Sequence, residues 1–116
     1  MSLPRPIRVA IAAYDGVSLL DLSGPLEALR LASTHPNHLG AKVAYDCHVV
    51  SIRGRTVLTA DGLELGTQPV STLDRTSIDT LIVPGACNVD DVFRDRELIK
   101  WLRRRAPRCR RQVRWS

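Results

Sequence analysis

A chain of 116 residues that is 44% hydrophobic and 25% charged, with seven Gly and seven Pro, has room for one core and is not compositionally disordered. No stretch approaches the roughly 20 apolar residues needed to cross a bilayer. Pro4, Arg5, Pro6 and Arg8 interrupt the apolar segment that a signal peptide requires, so the cytoplasm is the expected compartment. The net charge of +5 is unevenly spread: twelve acidic and nine basic residues precede Lys100, whereas eight basic and no acidic residues lie from Lys100 onward.

Residues 7 to 14, IRVAIAAY, form a short β-branched and small apolar run suited to a parallel strand buried on both faces. The turn Tyr14-Asp15-Gly16 follows, then Leu19-Leu20-Asp21-Leu22-Ser23-Gly24-Pro25. Proline is tolerated in a first helical turn, so Gly24-Pro25 is expected to seed or kink a helix. Leu22, Leu26, Leu29 and Ala32 give that helix its apolar spacing, and it should end near His35-Pro36-Asn37. Residues 43 to 52, VAYDCHVVSI, suit a second strand, and strand-helix-strand implies a parallel pair. Gly54-Arg55 and Asp61-Gly62 punctuate VLTA and LELG, a pattern that suits a small hairpin or an extended excursion before Pro69. Residues 78 to 83, IDTLIV, run into Pro84-Gly85-Ala86-Cys87, a buried strand ending in a tight loop on the edge expected to carry Asp21. Residues 95 to 105 place Leu98, Ile99 and Leu102 on one stripe, an amphipathic helix stopped before Pro107.

Several residues could carry chemistry. Asp21, among Leu19, Leu20 and Leu22, suits a proton-sharing or ligand-binding acid, and equally suits a residue that steadies the amino end of a helix. Glu27 is expected in a first helical turn, where a structural role suffices. Gly85 and Ala86 could offer backbone N–H groups to an anion, as could any small-residue strand-ending turn. Cys47, Cys87 and Cys109 are odd in number and lack ligand spacing, so free thiols are expected and neither metal nor cofactor is. Cys87 has no basic neighbour in sequence to activate it, Cys47 reads as core, and Cys109 is either a partly activated thiol or an accident of the basic end. His35, His38 and His48 have no helical i, i+4 spacing. The arginine-rich end could hold phosphates, with Trp101 or Trp115 stacking on bases, but a solvated basic helix face accounts for it equally well and is the preferred reading.

With LLDLSGPLEALRLA, DGLEL, DTLIVPGA and ELIKWLRRRAPRCRR in this order, the chain resembles the PfpI-like, class I glutamine amidotransferase-like superfamily. Within it, the likeness is to the amino-terminal sensor domain of AraC-type transcriptional regulators, and it covers about residues 7 to 111. The resemblance implies an α/β, flavodoxin-like, three-layer parallel sheet, here incomplete, with residues 112 to 116 as a divergent tail. It implies a small-molecule effector near Asp21, Gly24, Pro25, Gly85 and Ala86, with Ala86 standing where the superfamily's loop has a second glycine. The superfamily's enzymes use a cysteine at a strand-to-helix elbow, which would fall near the end of this chain, and Ser116 there lacks a following helix or a histidine to activate it. The expectation is therefore a truncated, non-catalytic sensing domain without its DNA-reading helix-turn-helix units. DNA would be bound only through that missing carboxyl-terminal part, and no membrane is involved. Two alternatives stand beside it: a remnant of a cysteine enzyme of the isonitrile hydratase or amidase kind, and nucleic-acid binding by the arginine end. A sheet with an uncovered edge also predicts self-association, as a homodimer or an aggregate.

Overall fold

The computed structural model describes residues 5–35, 43–86, 88 and 90–115. In chain order its elements are β1 (Ile7–Ala12), α1 (Leu19–Thr34), β2 (Tyr45–Ser51), β3 (Val57–Leu58), β4 (Glu64–Leu65), β5 (Gln68–Pro69), β6 (Thr80–Pro84), α2 (Asp90–Arg94), α3 (Arg96–Arg105) and β7 (Arg111–Trp115). Five strands form one sheet in the order β5-β2-β1-β6-β7, every pairing in it parallel. β3 and β4 pair antiparallel as a separate hairpin, the first of the two forms their sequence punctuation allows.

β1 occupies the centre because nothing in it after Arg8 is charged or bulky. Val9 through Tyr14 are buried in succession, and the alanines let layers on both faces approach closely. The step from β1 to β2 runs one way across the sheet and that from β6 to β7 runs the other. Right-handed crossovers therefore put α1 and α3 on opposite faces, which gives three layers. The core joins Val9, Ile11, Val50, Leu81 and Ile82 of the sheet to Leu22 of α1 and to Leu98 and Trp101 of α3.

Two boundaries differ from the sequence reading. α1 starts at Leu19, not at Gly24-Pro25, because Ser18 caps it, accepting from the Asp21 amide at 3.4 Å. Pro25 consequently lies inside the helix, buried, where its missing N–H leaves the Asp21 carbonyl without its i+4 donor. Glu27 is displaced with it: it sits in mid-helix, exposed, and pairs with Arg30 at 3.0 Å, so it does not occupy a first turn. α3 follows its predicted span, with Asp95 accepting from the Leu98 amide at 3.1 Å. Residues 111–115 form β7 at the sheet edge beside β6, so the stretch from Gln112 onward, expected as a divergent tail, continues the sheet as far as Trp115.

Candidate functional site

Parallel strands bring all their carboxyl ends to one rim, and the loops after β1 and β6 leave that rim toward opposite faces. This divergence is the topological switch point at which open α/β sheets bind ligands. Here the two loops are stitched together. Val17 bridges Ala86, the Ser18 amide donates to the Gly85 carbonyl at 2.9 Å, and the Tyr14 hydroxyl donates to the Pro84 carbonyl at 2.6 Å. Because Ser18 also caps α1 at Asp21, the carboxylate and the Gly85 loop share one rim.

Tyr14 is the pivot of the arrangement. It is 1% exposed. Burial, reinforced by the negative charges of Asp21 and then Asp91, pushes its hydroxyl up to about 12 from the ordinary 10.0. At neutral pH it is a neutral donor whose proton is committed to Pro84. Asp91 reaches this point because Gly16, at φ +92°, has no side chain: a Cβ there would run into the Asp91 carboxylate. Asp91 is in turn held by Arg94 at 2.8 Å.

Two clefts flank Tyr14. One, of about 630 Å³, lies beyond the ends of β1 and β2 and is rimmed by both signs of charge, Arg53, Arg55 and Arg96 against Asp15, Asp91 and Glu97. The other, of about 750 Å³, runs under β6 and β7 against α3 and is mainly apolar, with Leu81, Val83, Phe93, Leu102 and Val113 in its wall. Gly85 and Ala86 line the apolar cleft, whereas Asp21, Gly24 and Pro25 line neither. Asp21 lies in the first turn of α1, where its charge adds to the raising of Tyr14, and Gly24 and Pro25 lie within the same helix. Tyr14 and Asp91 escaped the sequence reading. The signal for Tyr14 was present, an aromatic residue with a polar tip closing an otherwise aliphatic strand. Asp91 gave none, since only the fold brings it to Gly16.

The described thiols are not activated. Burial raises Cys47, with Asp46 adding to the effect, and Cys109 is raised first by burial while donating to the Arg105 carbonyl at 3.3 Å. Proximity to Arg105 does not offset that burial, which leaves the Cys109 thiolate disfavoured. Cys87, His38 and Ser116, together with the Trp115 side chain, lie outside the described residues. Trp101 corrects the stacking idea: it is 3% exposed, packed in the core under Arg105, and presents no face to a base. Among the described residues no group of three or more metal-ligating side chains forms, and no helix is long and apolar enough to cross a membrane.

The architecture, a parallel five-stranded α/β sheet with its loops joined at the switch point, defines a flavodoxin-like, PfpI-like fold. The chain is similar over its length to a ThiJ/PfpI family protein from Pseudomonas syringae, with a TM-score of 0.75 at 18% identity, covering 95% of this chain and 42% of that one. It also superposes on an AraC family transcriptional regulator from Pseudomonas putida, with a TM-score of 0.68 at 24% identity, over 89% of this chain and 52% of that one. In sequence it is 29% identical over 107 residues to the HTH-type transcriptional regulator GbdR of Pseudomonas aeruginosa, matching 92% of this chain. The chain spans 28% of that regulator's length. No family model matches the sequence.

Proposed function

We propose that this chain is a ligand-sensing segment of an AraC-type transcriptional regulator, which binds a small-molecule effector at the carboxyl rim of its sheet. The observation that carries the reading is the similarity to a transcriptional regulator along 92% of the chain. The rim geometry supports a place for the effector. Gly85 and Ala86 line the apolar cleft, and the loops of β1 and β6 are tied through Tyr14 and Ser18. An effector that loosens or tightens this tie would shift α1 against the Gly85 loop, the kind of two-state element through which a sensor passes its signal. Neither Cys47 nor Cys109 serves as a nucleophile in this reading, since burial raises both thiols.

The test is backbone amide NMR on the chain during addition of a panel of small organic acids, amines and amides. Saturable shifts centred on Tyr14, Asp21, Gly85 and Ala86 support the proposal. Shifts confined to the opposite rim count against it. Turnover of a panel member that is abolished by thiol alkylation would replace sensing with the enzymatic alternative.

A further inference from the structure

The geometry points to a second binding surface, at the opposite, amino-terminal rim of the sheet, that takes the phosphate backbone of duplex DNA. In sequence the basic residues look like a local run at the end of the chain, but the fold adds others to it. Arg5 and Arg8, at the entry to β1, come to lie with Arg108 and Arg110 around one cleft of about 560 Å³. Arg108 also closes an adjoining cleft of about 580 Å³ with Arg104 and Arg105. Six arginines and two aspartates, Asp74 and Asp79, line the two together.

The roles of these arginines divide. Arg105 is structural: it donates to the Leu73 and Thr76 carbonyls at 3.2 and 2.9 Å and lies 5.7 Å over the Trp101 ring. Arg110 is held by Asp79 at 2.9 Å, and Arg8 by Asp46 at 3.4 Å. Arg5, Arg104 and Arg108 make no ion pair among the described residues and are exposed. Three free guanidinium groups on a rim already positive overall match a polyanion with regularly spaced phosphates, because each fork can grip a phosphate in two places. The buried Trp101 removes base stacking from this rim, so the contact is to backbone and indifferent to sequence. Such a surface would let the sensing segment rest on DNA beside whatever reads the bases.

The experiment is fluorescence anisotropy of a labelled DNA duplex of scrambled sequence, titrated with the whole chain in the absence of any effector. With about three phosphates neutralised, affinity should fall about 40-fold between about 50 and 200 mM salt. Arg104→Ala with Arg108→Ala should weaken binding and flatten that salt dependence. Arg108→Lys should keep most of the binding, and Arg30→Ala on α1 should change nothing. Thermal melts confirm that each variant is folded. Salt-independent binding, no binding, or equal loss in Arg30→Ala overturns the proposal. So does tighter binding of the matching single strand, which would demand exposed stacking, or equal competition by polyglutamate, which would make the rim a site for acidic proteins. Since no effector is present, failure here leaves the sensing proposal intact, and the reverse holds.

Discussion

Replacing Tyr14 with Phe removes a single oxygen at the point where the β1 and β6 loops are joined. The lost bond is a buried one, from the Tyr14 hydroxyl to the Pro84 carbonyl at 2.6 Å. Leaving a buried acceptor without its donor costs about 1–3 kcal/mol, so a loss of about 1.5 kcal/mol at neutral pH is expected, read as a lower urea midpoint with an unchanged slope. The alkaline range gives a sharper check. The Tyr14 pKa is raised in the folded chain, from 10.0 to about 12, so its stabilising contribution is whole below 10 and is lost as pH climbs through 12. One unit above the unfolded value the loss reaches about 1.4 kcal/mol, and the stabilities of wild type and Tyr14→Phe should therefore meet near pH of about 11. Urea titrations of both proteins across that range, with phenolate absorbance followed in parallel, give the comparison directly. A gap that stays constant with pH, or a Phe variant as stable as wild type at neutral pH, would refute the assignment of Tyr14 as the buried tie between the loops.

Three further outcomes follow from other parts of the fold. The Gln68 side-chain oxygen, 3.1 Å from His48 Nδ1, and then Asp46, 3.1 Å from His48 Nε2, raise the His48 pKa. That partnership stabilises the fold below about 6.5 and fades as pH rises through the folded value. His48 imidazole NMR titrations should show a lower midpoint in Gln68→Leu and in Asp46→Asn, and an unmoved midpoint in both would count against the contacts. Gly54 sits at φ +70° against Pro69, so Gly54→Ala meets both backbone strain and a collision with the proline ring; it should cost more than about 2 kcal/mol by thermal melting, and a melting point near that of wild type would contradict the turn geometry. β7 has no outer strand partner among the described residues and Phe93 is 60% exposed, so sedimentation should show concentration-dependent association. A single monomeric species across the concentration range would show that the edge is protected.

The sheet could be read from the sequence because its signals are local. β1 and β6 are short apolar runs that end at small residues, α3 has a leucine stripe, and Gly62 at φ +85° falls inside the β3–β4 hairpin. The start of α1 was misplaced because Pro25 is a strong local signal for a first turn, whereas the cap at Ser18 and the burial of Leu22 set the boundary from outside that dipeptide. Residues 112 to 116 read as a divergent tail because they depart from the strand the resemblance implies there, but at a sheet edge the pairing of Arg111 and Gln112 with Thr80 and Leu81 supplies what a buried strand draws from apolar side chains.

The candidate site separates along the same line. Asp21 and the Gly85 loop could be linked in advance because both follow strands, and the ends of parallel strands share a rim whatever the side chains. Tyr14 and Asp91 could not, since their encounter needs β6 beside β1, a glycine at position 16, and α2 folded back over the loop. The basic rim is the same case at larger scale: Arg5 and Arg108 are neighbours only because one strand enters the sheet where the turn after α3 lies. Composition reports how much charge a chain carries, and topology decides whether it is diluted over a helix or gathered at one edge. In this chain it is gathered opposite the proposed effector site, so the two surfaces are separable by mutation.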